Sequence, residues 1–255
     1  MRIHLVPNTQ MLKDNSDHAF AASVFREAYI LQSFVYCDDF TEQVIIPNCR
    51  DFMLDSGAFS FMTGKKGKIN WDEYIERYAD FIVRNNVKKF FELDIDDVVG
   101  YERVKQFRRD LERKTGRQSI PVWHFPRGKE EWLRMCEEHD YVAIGGLVQI
   151  KGSAEYAEKY RRYFPWFIKT AHERGAKVHA LGFTALKALE KYHFDSVDSS
   201  SWSIGNRYGV VYKFDGSTIV TLKKKAGTRI TDHQKLSLHN FNEWVKFSKY
   251  AEVHL

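Results

Sequence analysis

The chain has 255 residues, which is long enough to bury a large hydrophobic core, as a single (β/α) barrel of this length does. Hydrophobic residues make up 44% and charged residues 29% of it, a balance that excludes a disordered chain, a collagen and a coiled coil. The net charge of +5 is mildly basic and compatible with a polyanionic partner. Three widely spaced cysteines form no CxxC pair, and the start of the chain has neither a signal-peptide core nor a long apolar run. We therefore expect a soluble, cytoplasmic protein that contacts no membrane.

Seven short apolar runs alternate with amphipathic segments along most of the chain. The predicted strands are Arg2–Val6, Phe52–Leu54, Lys89–Leu93, Ile120–Phe125, Tyr141–Leu147, Lys177–Leu181 and Phe194–Val197. The predicted helices are Trp71–Asn85, with Asn70 as its N-cap, Tyr101–Lys114, Lys129–Glu138, Ala154–Arg174, broken at Pro165, and Ala185–Tyr192. Further along, the pattern predicts a β-hairpin of Gly209–Lys213 and Ser217–Leu222 and then a helix, Leu236–Tyr250.

This alternation predicts the α/β class with a parallel sheet covered by helices. A (β/α)8 TIM-like barrel with a C-terminal β-hairpin and closing helix is favoured over an open Rossmann or flavodoxin-like sheet, because no GxGxxG motif follows any strand. We expect one domain over residues 1–255, with residues 209–255 as its extension. The pattern predicts no helix or strand in residues 8–41, and we expect their aromatic and apolar side chains to pack as early parts of the barrel.

Polar residues follow several predicted strands at the point where each strand ends. Asp55, Asp94, His124 and Asp198 are such residues, and Gly145-Gly146 follows another strand. A single aspartate there is commonly a helix N-cap. Several carboxylates in one barrel mouth repel one another unless a ligand or a reaction needs them. Two interpretations suit them: a metal site using Asp94, Asp96 and His124, whose spacing matches no established metal loop, or a carboxylate nucleophile beside a carboxylic acid at a glycosidic carbon.

The same strand ends resemble a known family. Asp55-Ser56-Gly57-Ala58-Phe59, Leu93-Asp94-Ile95-Asp96, Gly145-Gly146-Leu147 and Phe194-Asp195-Ser196-Val197-Asp198 occur in the order found in the tRNA-guanine transglycosylase superfamily. No cysteine lies beyond Cys136, so that family's structural zinc site cannot form. The resemblance is therefore strongest to the compact, zinc-less bacterial and phage paralogues that insert 7-deazaguanine bases into DNA.

The resemblance implies a glycosyltransferase that exchanges guanine for a 7-deazaguanine base through a covalent aspartyl-glycosyl intermediate, without a cofactor or metal. It implies Asp198 as nucleophile, with Asp195 as the alternative, and Asp55 as acid/base. The implied base-binding residues are Ser56, Asp94, His124, Gly145, Gly146 and Leu147. DNA or tRNA containing guanine would be the partner. The basic residues Lys65, Lys66, Lys68 and Arg207 are candidates for contacts to its backbone. His179 is expected to be structural.

Three alternatives to DNA base exchange stay open on the sequence. The first is the same chemistry on tRNA or a nucleoside. The second is a non-catalytic barrel that binds nucleic acid, although clustered aspartates do not suit a phosphate binder. The third is a metal-dependent hydrolase that uses the same carboxylates. The oligomeric state is open.

Overall fold

The structure is a computed structural model that describes residues 1–8, 18–58, 69–146, 161–183, 185–222 and 230–255, with only the backbone described at 204–207. Ten strands lie in this part of the chain. They are β1 Arg2–Leu5, β2 Tyr29–Ser33, β3 Asp51–Asp55, β4 Lys89–Phe90, β5 Val122–Trp123, β6 Tyr141–Ile144, β7 Lys177–Ala180, β8 Ser196–Ser199, β9 Val211–Phe214 and β10 Ile219–Leu222.

The first eight strands form one parallel sheet in the order β4-β3-β2-β1-β8-β7-β6-β5. β1 pairs with β8 along its whole length, from Arg2 opposite Ser196 to Leu5 opposite Ser199. The two edge strands meet through a parallel bridge between Phe91 and Ile120, which closes the sheet into a barrel. The predicted (β/α)8 TIM-like barrel is therefore confirmed.

Seven helices of eight or more residues are described around the sheet and beside the hairpin: α1 His18–Phe25, α2 Trp71–Arg84, α3 Tyr101–Thr115, α4 Gly128–Glu138, α5 Phe164–His172, α6 Ser201–Tyr208 and α7 His233–His254. Asn70 caps α2 as predicted, since its side chain accepts a hydrogen bond from the Glu73 amide at 3.3 Å. Pro165 stands in the first turn of α5, the helix position that proline tolerates best. Part of the predicted helix Ala154–Arg174 lies outside the described residues.

Two sets of apolar side chains make up the core. The larger fills the layer between the sheet and the helices, where the four most voluminous fully buried side chains are Trp123, Trp132, Trp202 and Trp244. The smaller lies inside the barrel and contains Leu31, Met53, Phe91, Ile120, Val122 and Ala143. Because alternate residues of a strand point to opposite faces, this inner set forms the floor beneath the carboxyl ends of the strands.

The hairpin and the last helix form as predicted. β9 and β10 pair antiparallel, with Val220 opposite Lys213, and Asp215 accepts hydrogen bonds from the amides of Ser217 and Thr218 in the turn. α7 packs against this hairpin and returns to β1, where the Ser248 hydroxyl donates to the Ile3 carbonyl at 2.8 Å. Among the described residues, no helix is both long and apolar enough to cross a membrane.

The sequence pattern left out the helices α1 and α6 and one strand of the barrel, β2. It lies between β1 and β3, with Tyr29 opposite Asp51 and Ser33 opposite Asp55. Its residues Tyr29–Leu31 are buried, in agreement with the expectation that this part of the chain packs into the barrel.

Candidate active site

Asp55 is the last residue of β3, and its carboxyl group stands at the barrel mouth. Its Oδ2 accepts a hydrogen bond from the Gly57 amide at 3.0 Å. Burial raises the pKa of Asp55 to about 6, and although the Gly57 amide opposes this rise, the negative charges of Asp198 and Asp94 add to it. A carboxyl group with such a pKa exchanges its proton readily near neutral pH.

Asp198, on β8, is the second carboxylate of the mouth. Its Oδ1 accepts a hydrogen bond from the Gly182 amide at 2.6 Å and lies 3.2 Å from His179 Nε2. Both contacts involve Oδ1, so among the described residues Oδ2 is the oxygen presented to a ligand. Asp198 thus lies near enough to Asp55 to influence its pKa, while its own position is fixed by two neighbouring groups.

Asp94 and His124 form a pair across the closing seam of the barrel. Asp94 Oδ1 lies 2.6 Å from His124 Nε2, and the two side chains remain 24% and 21% exposed, so a substrate can reach them. Burial alone would lower the pKa of His124, but the hydrogen bond to Asp94 and the charge of Asp94 together raise it above its ordinary value. The pair therefore favours a protonated imidazole that donates hydrogen bonds.

The glycine pair after β6 makes room for the His124 ring. A Cβ atom on Gly145 would lie 2.6 Å from His124 Cε1, and one on Gly146 would lie 3.2 Å from His124 Nδ1. The Gly145 amide donates to the Trp123 carbonyl at 2.9 Å and so belongs to the sheet. Because this N–H already donates to Trp123, the Gly145 amide is not available to a bound base. The role that the resemblance implied for it is corrected accordingly.

Arg127 holds the loop after β4 against the loop after β5. Its guanidinium donates to Asp96 through Nε at 2.7 Å and to Glu92 at 2.8 Å, and it lies over the Tyr101 ring at 4.1 Å. Asp94 is a further neighbour at 3.7 Å. Arg127 is therefore the side chain that connects the Asp94–His124 pair to the protein beneath it.

The structure brings together Asp55, Asp94, His124 and Asp198, but it separates Asp195 from them. Asp195 precedes β8 at the other end of the barrel, where its side chain accepts from the Val178 amide and lies 2.8 Å from His172. The alternative assignment of Asp195 as the nucleophile is therefore corrected, because its carboxyl group lies at the end of the barrel opposite the mouth. Ser56, which follows Asp55, is fully buried. Residues Lys65, Lys66, Lys68 and Leu147, and the side chain of Arg207, lie outside the described residues.

Two residues of the site were not identified as functional from sequence. His179 was interpreted as structural, and Arg127 was not considered. His179 occurs in a predicted strand, and the strand's two-residue alternation indicates which residues share a face with it, although not that this face points into the barrel. Within the described part of the chain, no three His, Cys, Asp or Glu side chains are grouped closely enough to hold a metal ion, so the metal-dependent alternative gains no support there.

The fold and the mouth define a (β/α)8 barrel whose strand ends carry an acid–base set of three aspartates and one histidine. No family model and no curated protein matches the sequence. Among solved structures, a Coccidioides immitis protein assigned as a fructose-1,6-biphosphate aldolase matches with a TM-score of 0.55 and 14% identity, over 99% of this chain and 89% of that one. At this identity the match shows the fold alone.

Two further solved structures match more loosely. QR15, an aldolase, has a TM-score of 0.48 and 15% identity, over 78% of this chain and 89% of its own. The carboxyl transferase domain of Rhizobium etli pyruvate carboxylase has a TM-score of 0.47 and 9% identity, over 98% of this chain and 47% of that one.

The comparisons contradict the predicted membership of the tRNA-guanine transglycosylase superfamily. The similar structure with a TM-score above 0.5 is assigned as an aldolase, and no family model supports a transglycosylase. The predicted DNA guanine exchange, its tRNA and nucleoside variants, the nucleic-acid-binding barrel and the 7-deazaguanine substrate are withdrawn with it. The physical reason is that aspartates, histidines and glycine pairs at successive strand ends are what a polar (β/α)8 mouth presents, whatever its reaction.

Proposed function

We propose that the protein is an enzyme that moves protons on a small carbonyl compound at the barrel mouth. The observation that carries this proposal is the Asp55 carboxyl group, whose pKa of about 6 allows it to be protonated beside the Asp198 carboxylate. A protonated acid next to a carboxylate base is what enolisation needs, because one group must take the proton from carbon while the other stabilises the oxygen.

In the proposed reaction, Asp198 Oδ2 removes a proton from the carbon next to the substrate carbonyl. The electrons of the broken C–H bond form the C=C bond of the enol, and the carbonyl oxygen receives the proton of Asp55. Return of a proton from Asp198 to carbon, and of the oxygen proton to Asp55, reverses the step. If the enol carbon attacks the carbonyl carbon of a second molecule, the same step leads to carbon–carbon bond formation. An enzyme that catalyses the reverse reaction, cleavage of that bond, is a lyase.

The described residues favour an uncharged, hydroxylated substrate. Asp55, Asp94 and Asp198 would repel a phosphate at this end of the site, whereas the Asp94–His124 pair can accept and donate hydrogen bonds to hydroxyl groups. None of the described carboxyl ends of the barrel strands carries a lysine, so the proposed reaction uses acid–base groups and not an imine. Small hydroxyketones and hydroxyaldehydes are the class that fits.

The test is deuterium exchange at carbon, followed by NMR in D2O. Dihydroxyacetone, hydroxyacetone and glyceraldehyde are incubated with the protein, and the loss of the proton next to each carbonyl is measured. We expect enzyme-dependent exchange with at least one compound, reduced about 100-fold or more in Asp198→Asn and in Asp55→Ala. Asp195→Asn is the matched control, because it changes an aspartate at the opposite end of the barrel, and it should retain the exchange.

Equal exchange in wild type and Asp198→Asn would overturn the assignment of the base. Hydrolysis of simple glycosides by the wild type, without exchange at carbon in any carbonyl compound, would overturn the reaction class. That result would favour chemistry at a glycosidic carbon by the same two carboxylates.

A further inference from the structure

A continuous series of polar side chains descends from Asp198 into the barrel. His179 Nδ1 lies 2.5 Å from Ser196 Oγ, which in turn lies 2.5 Å from the Tyr141 hydroxyl. His179 and Ser196 are fully buried, and the His179 ring packs against Phe91 at 5.3 Å between centroids. Branched apolar side chains normally fill such a barrel interior, so three consecutive polar groups beneath one carboxylate call for a role.

The hydrogen atoms of this series can be assigned from its upper end. The Gly182 amide can only donate, so Asp198 Oδ1 is an acceptor. His179 Nε2 lies beside the same oxygen and therefore carries a hydrogen. In the neutral ring Nδ1 is then the acceptor, so Ser196 donates to His179 and Tyr141 donates to Ser196.

The opposite tautomer of His179, with the hydrogen on Nδ1, makes fewer hydrogen bonds. If His179 carried its hydrogen on Nδ1, it would donate to Ser196, and Ser196 would donate to Tyr141. His179 Nε2 would then face Asp198 Oδ1 as a second acceptor, and the Tyr141 hydrogen would have no place in the series. Two acceptors at the 3.2 Å separation of those atoms repel each other.

We propose that Tyr141 and Ser196 are positioning residues that, together with Asp198, fix the Nε2–H tautomer of His179: they supply a donor to Nδ1 and so hold the ring against Asp198. Oδ1 is held by two donors, and Oδ2 is presented to the substrate. The consequence for catalysis rests on the proposed function of Asp198, whereas the tautomer itself can be measured without any substrate. A residue that fixes a tautomer acts through the ring, so its loss should affect turnover more than substrate binding.

The tautomer is measured by ¹⁵N NMR of histidine-labelled protein, since protonated and bare ring nitrogens differ widely in chemical shift. We expect Nε2–H for His179 in the wild type. In Asp198→Ala the acceptor that sets the direction of the series is lost, so the Nδ1–H form should appear beside Nε2–H. In Ser196→Ala, Nδ1 loses its donor while Asp198 still accepts from Nε2–H, so the ¹⁵N shift of Nδ1 should move toward that of a nitrogen without a hydrogen bond, and Tyr141→Phe should move it the same way by less.

An Nδ1 shift that stays unchanged in Ser196→Ala would overturn the proposal, because Ser196 would then make no hydrogen bond that holds the ring. Tyr141→Phe removes a single hydroxyl and should fold. Tyr78→Phe is its control, because the Tyr78 hydroxyl is also buried and donates only to the backbone at Leu54 and Phe91. The control should keep the wild-type tautomer.

The kinetic measurement uses the deuterium exchange described above. We expect Tyr141→Phe to lower kcat about tenfold with little change in KM, and Tyr78→Phe to leave both near wild type. If the wild type exchanges no carbonyl compound, the proposed function fails, while the NMR result still decides the tautomer. If exchange is present and Tyr141→Phe leaves kcat unchanged, the positioning role fails by itself.

Discussion

Asp55 combines a catalytic advantage with a structural penalty, and both arise from its burial. The pKa of its carboxyl group is about 6, above the ordinary 3.8, because burial and two neighbouring negative charges disfavour ionisation. The unfolded chain ionises this group freely once the pH exceeds 3.8. The folded protein is therefore not penalised below that pH, and its stability falls as the pH rises toward about 6.

Asp55→Asn should remove this penalty, because an amide does not ionise and can still accept the Gly57 hydrogen bond. At about pH 7.5 we expect the variant to be more stable than wild type by about 2–3 kcal/mol, and at about pH 4 the two should agree within about 0.5 kcal/mol. Urea denaturation at the two pH values measures this. Asp195→Asn, which loses an ion pair with His172, should show no gain, and a less stable Asp55→Asn at the higher pH would contradict the prediction.

Sequence reasoning located the site residues better than their roles. Asp55, Asp94, His124 and Asp198 could be identified because the carboxyl ends of parallel strands share one end of a barrel. Gly145 and Gly146 were attributed to ligand binding, whereas their function in the fold is to leave space for an imidazole ring. Such a close approach between two loops is a three-dimensional fact, and no spacing along the chain encodes it.

At the scale of elements, Arg127 makes the two loops around β4 and β5 one unit. Its side chain is only 2% exposed and forms an ion pair with Glu92. Glu92 is fully buried and also forms an ion pair with Arg108 at 3.3 Å. Without Arg127, Glu92 would retain one ion-pair partner among the described residues, and Asp96 would lose its guanidinium. A buried carboxylate without sufficient compensation is costly.

Arg127→Met should therefore destabilise the protein by about 3–5 kcal/mol in chemical denaturation. Arg103→Met offers the matched control, since Arg103 pairs with Asp72 at the surface with side chains 40% and 72% exposed, and its loss should cost less than about 1 kcal/mol. Similar losses in the two variants would show that the Arg127 cluster is no stronger than a surface pair.

The boundaries of the elements could be predicted where the pattern of burial is simple. α2 was predicted to within one residue, because an N-cap opens it and one apolar face continues to its end. β2 was missed because Tyr29–Ser33 has neither strict alternation nor turn residues to delimit it, and its buried Gln32 interrupts the apolar run. Its place in the sheet depends on pairing with β1, which precedes it, and with β3, which follows it. The residues of β2 alone do not show either partner.

At the scale of the whole molecule, the first and last parts of the chain fold together. The Met1 ammonium donates to the Ala251 carbonyl at 3.1 Å, and Phe241 of α7 packs edge-on against Phe25 of α1 and Trp202 of α6, at 5.7 and 5.1 Å between centroids. The alternation of strands and helices was sufficient to predict the barrel class. It was insufficient to predict a family, since the order of polar strand ends is common to barrels of unrelated activity.

Phe241→Ala should destabilise the whole chain by about 3–5 kcal/mol, because it leaves a cavity among three helices. Phe20→Ala, on α1 but 40% exposed, should cost less than about 1 kcal/mol. Thermal unfolding followed by circular dichroism compares them. A single cooperative transition at lower temperature is expected for Phe241→Ala. Separate transitions would show that α7 unfolds independently of the barrel.

The closure between β4 and β5 gives the barrel one seam that is shorter than its other junctions. The strands on either side have two residues each and meet at a single bridge, whereas β1 and β8 pair over four positions. In backbone pairing this is therefore the weakest junction of the cylinder, and the contacts of Arg127 with Glu92 and Asp96 hold it closed. Asp94 follows the strand on one side of that seam and His124 the strand on the other. Each opening of the seam would therefore separate the two side chains, and each closing would restore their contact.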